Sequence, residues 1–137
     1  MKVSELKVLL VDDDEFISQI VSKFVKKIGV KHIFLTNNGY DAVAIAVREQ
    51  PDIVLLDLVM PDLGGLKILK MLKTIHITRN SHVIVITASE DIENVAKAVR
   101  LGAKDYVLKA SFQDFIMNKL LSLIPSIEKE EVFVQIL

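Results

Sequence analysis

Pro51-Asp52-Ile53-Val54-Leu55-Leu56-Asp57-Leu58-Val59-Met60-Pro61 is the stretch that decides the fold. Ile53–Leu56 is apolar at every position, the mark of a strand covered on both faces. Strands of that kind belong to parallel sheets, whose long crossovers carry helices. The run ends on Asp57, and an acid behind four buried residues is costly unless something compensates it.

The same pattern recurs outward in both directions. Val8–Val11 is an apolar run that ends in Asp12-Asp13-Asp14, Lys31–Thr36 reads as a second strand, and Val83–Ile86 runs into Thr87. Asp105–Leu108 reads as a fifth short strand leading to Lys109. Between them lie amphipathic segments. Phe16, Ile17, Ile20, Val21, Phe24, Val25 and Ile28 recur at three- and four-residue steps, a helix closed by Gly29. Asn38-Gly39 opens a second helix that Gln50-Pro51 ends, and a third follows Gly64-Gly65 near Leu66–Leu72. Glu90, Asp91 and Glu93 suit the positive end of a fourth helix, which Gly102 closes. Ser111-Phe112-Gln113-Asp114 has capping-box spacing and starts a fifth, stopped by Pro125. Five strands alternating with five helices predict an α/β fold with a doubly wound parallel sheet.

Composition narrows the function classes. The 137 residues fit one domain, and 51% hydrophobic with 26% charged residues is a globular balance. A net charge of −1, from 17 basic and 18 acidic residues, argues against a broad face for direct nucleic-acid binding. There is no cysteine, hence no disulfide framework, thiolate metal site or thiol nucleophile. The apolar runs are too short for a membrane span or a secretory signal, so a cytoplasmic protein is expected. His32, His76 and His82 are scattered without ligand spacing and read as structural or surface residues.

In doubly wound sheets, ligands sit at the carboxyl ends of the strands, where strand order reverses. Asp12, Asp13, Asp57, Thr87 and Lys109 all fall at such ends. Clustered carboxylates repel one another, and a divalent cation relieves that. Oxygen ligands without His or Cys select a hard ion, with Mg2+ the natural choice. A carboxylate is also a nucleophile toward phosphorus, and phosphoryl transfer asks mainly for positioning and charge neutralisation. Asp14, at the strand-to-helix junction, reads as an N-cap.

Together these motifs resemble the receiver domains of bacterial response regulators, over roughly residues 5–124. The matching stretches are Val11-Asp12-Asp13, Leu55-Leu56-Asp57 to Met60-Pro61, Thr87-Ala88 and Tyr106-Val107-Leu108-Lys109. The resemblance implies a flavodoxin-like (βα)5 fold with strand order 2-1-3-4-5. It makes Asp57 the phosphorylation site, with Asp12, Asp13 and the Val59 backbone carbonyl completing a Mg2+ site. Lys109 would hold the phosphoryl group, and Thr87 and Tyr106 would act as the switch. It further implies a sensor histidine kinase, a phosphotransfer protein or a small phosphodonor as the phosphoryl source. Output would pass to a downstream protein or fused domain through residues of about 90–124, with a homodimer of the phosphorylated form as one arrangement. The domain would not be an enzyme beyond Mg2+-dependent self-phosphorylation and self-dephosphorylation.

The chain departs from that pattern where Ala110 follows Lys109, since receivers usually carry proline there. We expect the Lys109-Ala110 bond to keep the family's cis form, held by the surrounding structure. Val59 and Ser89 flank the acceptor. An apolar Val59 cannot orient an attacking water, which predicts slow to moderate loss of the phosphoryl group. Residues 125–137 form a tail that alternates weakly, an extra strand, a dimer contact or the start of a linker. Three alternatives compete. A haloacid-dehalogenase-type phosphatase shares the acid pair but needs a small residue where Phe16 stands. A nucleotide or flavin binder needs a glycine-rich loop after strand one. A degenerate receiver, signalling without phosphate, would not need the acids, Thr87 and Lys109.

Overall fold

The computed structural model describes residues 2–60, 63–88 and 92–112. Five strands, β1 (Lys7–Val11), β2 (His32–Thr36), β3 (Ile53–Asp57), β4 (His82–Thr87) and β5 (Asp105–Leu108), form one sheet. Helices α1 (Glu15–Lys27), α2 (Gly39–Glu49), α3 (Gly65–Thr74) and α4 (Ile92–Arg100) alternate with them. The order is β2-β1-β3-β4-β5 and every pairing is parallel. The expected fifth helix and the 125–137 tail lie outside the described residues, as do Glu90 and Asp91.

Period-two alternation explains how the apolar strands serve two cores. Val8, Leu10, Ile53, Leu55, Ile84 and Ile86 point to one face, where Val21, Val25 and Ile28 cover them. Leu9, Val11, Val54, Leu56, Val83 and Val85 point to the other, against Ala42, Ala46, Ile68, Leu69, Leu72 and Ala98. No strand residue of β3 is left exposed, which accounts for the absence of any polar position before Asp57. The edge strand β2 is only half-buried, as its polar ends require. Val3 and Leu6, from a short 3₁₀ turn and its exit, add to the first core.

Local chemistry fixes the element ends. The Asp14 side chain accepts the Ile17 N–H at 3.2 Å and caps α1, as its position predicts. Gly29, at φ 110°, lets the chain turn back after α1, with its N–H on the Lys26 carbonyl at 3.0 Å. Asn38 caps α2 by accepting from the Tyr40 and Asp41 N–H groups. At the far end of the sheet, the Lys73 ammonium donates to the carbonyls of Arg79 and Ser81. The Ser81 hydroxyl donates to the Pro51 carbonyl at 2.7 Å, tying the α3–β4 connection to the start of β3.

Strand order reverses at β1, which lies between β2 and β3. Val11 pairs with Leu56, so the residues that follow, Asp12 and Asp57, emerge side by side. Asp57 pairs with Ile86 and Thr87 with Leu108, which brings the ends of β4 and β5 to the same edge. The topology therefore gathers residues far apart in sequence into one cleft.

Candidate acidic centre at the sheet edge

Asp12 and Asp57 are 1% and 4% exposed, burial that an unpaired carboxylate does not tolerate. Lys109 answers both. Its ammonium lies 3.0 Å from Asp12 Oδ2 and 3.3 Å from Asp57 Oδ2. Backbone donors take further lone pairs: the Asp14 N–H reaches Asp12 Oδ1 at 2.9 Å and the Val59 N–H reaches Asp57 Oδ1 at 3.0 Å. Asp13 is exposed at the mouth, and one oxygen from each of Asp12, Asp13 and Asp57 lies within 4.8 Å of the others. Thr87 is buried at the end of β4. Tyr106, on β5, is 44% exposed.

The electrostatics are those of two acids sharing one cation. Burial pushes the Asp57 carboxyl up to about 6; the Asp12 charge adds to this, while the Val59 N–H and the Lys109 ammonium act against it. Burial tends to lower the Lys109 pKa. Its hydrogen bond to Asp12 and the charges of Asp57 and Asp12 outweigh that, so its pKa is raised and it remains a cation. Asp12 Oδ2, although close to Lys109, accepts no directed hydrogen bond. A buried oxygen in that condition, beside two further carboxylates, fits the oxygen-donor set of a hard divalent cation.

The Lys109-Ala110 peptide is trans, contrary to the cis form expected: no cis bond occurs among the described residues. Without proline the cis form costs about 2.5–4 kcal/mol. The chain avoids it by entering a 3₁₀ turn over Lys109–Ser111, and the flexible lysine side chain still reaches both acids. Ser89 lies outside the described residues, as do Pro61 and Asp62 of the loop after β3. Val59 is 73% exposed, two residues after Asp57.

Sequence reasoning did not anticipate the part played by Gly65. A side chain there would put its Cβ 2.5 Å from Leu58 Cα and against the Asp57 carbonyl, so only glycine lets α3 start this close to the end of β3. The Gly65 N–H also donates to the Leu58 carbonyl at 3.1 Å. The Gly64-Gly65 pair hinted at a loop; the close approach to the acidic centre follows only from the packing. His82 begins β4 at the opposite end of the sheet from Thr87, consistent with its reading as structural.

Known proteins agree with this arrangement. The family model for the response regulator receiver domain matches residues 8–121. Sporulation initiation phosphotransferase F of Bacillus subtilis is 33% identical over 119 residues, covering 87% of this chain and 94% of that protein. The chain spans under half the length of other curated relatives it matches, 44% in the case of DctR from Priestia megaterium. Among solved structures, chemotaxis protein CheY4 of Vibrio cholerae superposes with a TM-score of 0.79 at 23% identity, over 86% of this chain and 98% of that one. A Francisella response regulator receiver domain gives 0.77 at 28% identity, over 87% and 96%. With this fold and with its acids, threonine and lysine gathered at one sheet edge, the chain belongs to the response regulator receiver family, the phosphoacceptor domains of two-component signalling.

Proposed function

We propose that Asp57 is the phosphoacceptor and that Asp12, Asp13, Asp57 and the Val59 carbonyl hold Mg2+. The observation that carries this reading is the Lys109 ammonium shared between two buried acids, with a third carboxylate at the mouth. Mg2+, when bound, supplies positive charge that offsets the acids and the incoming phosphoryl oxygens. An Asp57 oxygen attacks phosphorus and forms the acyl phosphate P–O bond. The bond from phosphorus to the donor, a phosphohistidine nitrogen or the acyl oxygen of acetyl phosphate, breaks, and the donor keeps its electron pair. Lys109 then neutralises a phosphoryl oxygen and the Thr87 hydroxyl donates to another. Water later attacks the phosphorus, the bond to the Asp57 oxygen breaks, and inorganic phosphate leaves the regenerated carboxylate.

On this reading the working unit is residues 5–124, served in the cytoplasm by a sensor histidine kinase or phosphotransfer protein. Bonds from the phosphoryl group to Thr87 and Lys109 form only in the modified state, so they bias a two-state balance that Tyr106 reports to the 90–124 surface. Incubation with acetyl phosphate and Mg2+ tests the chemistry. The protein should gain one phosphoryl group by intact mass, and chelation of the metal should abolish the gain. Equal uptake with and without metal contradicts the Mg2+ assignment.

A further inference from the structure

The sheet ends on β2 at one side, and among the described residues no strand pairs with its outer edge. The Asp12 N–H donates to the Thr36 carbonyl at 3.1 Å, so Thr36 turns its backbone groups toward β1. That direction alternates along a strand, which leaves the N–H and C=O of Ile33 and Leu35 on the outer edge. Edges of this kind are usually blunted by charge, proline or a bulge. None of these protects His32–Thr36, which reads His-Ile-Phe-Leu-Thr and pairs with β1 in unbroken register. The Leu35 side chain is 49% exposed. It lines a groove of about 430 Å³ between α1 and β2, together with Glu15, Ser18 and Gln19.

We propose that a second copy of this chain occupies this edge, its β2 antiparallel to the first about a two-fold axis at Phe34. Two observations select that occupant. The first is that the strand is complementary to itself. Centred on Phe34, the register opposes Ile33 to Leu35 of the second copy, and Leu35 to its Ile33, so every outward N–H and C=O of both residues finds a partner. Leu35 is covered in the same step. Lys31 then faces Asn37 rather than another lysine, and His32 faces Thr36. The second observation is charge. A two-fold axis perpendicular to the sheet sets the two α1 helices antiparallel on one face and the two α2 helices antiparallel on the other. Helix α1 carries Glu15 in its first turn and Lys26 and Lys27 in its last, and α2 carries Asp41 and Arg48 in the same order. Arg48 remains exposed despite its ion pair with Glu49. Each acidic helix end is thus brought alongside a basic one, in both layers at once.

In this arrangement the two sheets merge into one, and both α4–β5 faces stay open because β5 is the opposite edge. The contact does not depend on phosphorylation, and its test is separate from that of the acceptor. The chain has no cysteine, so His32→Cys chains can be mixed with Thr36→Cys chains under mild oxidation without background. Residues opposed in a non-hydrogen-bonded antiparallel pair lie about 4.5 Å apart at Cα, within disulfide reach. The expected product is a disulfide dimer holding one chain of each kind, in clear excess over random collision. Same-variant dimers in random proportion, or no dimer, overturn the proposal. As a readout on the cysteine-free chain, sedimentation velocity up to about 1 mM should show the wild type passing from one chain to two. Leu35→Lys, at an exposed position, should weaken that association by about tenfold or more, while Ile92→Lys on α4 leaves it unchanged. A wild type that stays monomeric throughout, or an association that Ile92→Lys weakens as much as Leu35→Lys, contradicts the proposal.

Discussion

Asp57 carries two opposed demands, burial that favours its neutral form and the proposed phosphoryl chemistry that needs its anion. Its pKa of about 6 without metal, against 3.8 for an ordinary aspartate, expresses that conflict. A raised acid pKa means that the folded chain binds the proton more tightly than the unfolded one. The stability this group contributes is therefore present below about pH 4 and lost as pH rises through about 6. Mg2+ should offset the loss, so it should raise the melting temperature clearly at pH 7 and little at pH 5, by thermal unfolding with and without metal. Equal effects at the two pH values contradict this account. Asp57→Asn, in metal-free protein at pH 7, should raise stability by about 1 kcal/mol or more, since an amide has no charge to bury. Val59 makes a second prediction at this scale. Exposed and apolar beside the proposed acceptor, its side chain carries no group that could hydrogen-bond an attacking water. Val59→Asn should change the first-order decay of the phosphorylated protein several-fold, roughly 1 kcal/mol in barrier, read by loss of the acyl phosphate over time. An unmoved decay rate refutes that role.

At the scale of elements, the site depends on how helices begin. The α1 cap by Asp14 fixes the chain as it leaves Asp12 and Asp13, because the Asp14 N–H also holds Asp12 Oδ1. Asp14→Ala should cost about 1 kcal/mol in chemical denaturation while leaving the proposed metal ligands in place. Gly65 is the stricter case. Gly65→Val would drive side-chain atoms into Asp57 and Leu58 backbone, and a β-branched residue at this crowded helix start has no open rotamer toward β3. We expect a loss of about 2 kcal/mol or more, with phosphoryl uptake reduced in the fraction that remains folded. The trans Lys109-Ala110 bond belongs to this scale too. The reach of Lys109 to both acids comes from a 3₁₀ turn and a long side chain.

Across the whole molecule, the legible features were those carried by burial. Ile53–Leu56, Val8–Val11 and Val83–Ile86 announced central strands because each must be apolar on both faces. Asp105–Leu108 was found at its observed limits because Lys109 and Gly102 bracket it. The acids, Thr87 and Lys109 could be placed at one edge because a parallel topology leaves no other arrangement for strand ends. Less legible were features set by side chains reaching across the fold. Lys73 satisfying the Arg79 and Ser81 carbonyls leaves no periodic trace in the sequence. Neither does the approach of Gly65 to β3, and the peptide geometry after Lys109 was inferred from likeness and came out reversed.

The central claim is that Asp57, among the acids at this edge, takes the phosphoryl group. The direct measurement is to treat the wild-type chain and Asp57→Asn with acetyl phosphate and Mg2+, trap the acyl phosphate by borohydride reduction, and map the modified peptide. The account predicts a single modified position, Asp57, and no modification in Asp57→Asn. Modification at Asp12 or Asp13 in the wild type, or equal uptake by Asp57→Asn, would contradict it.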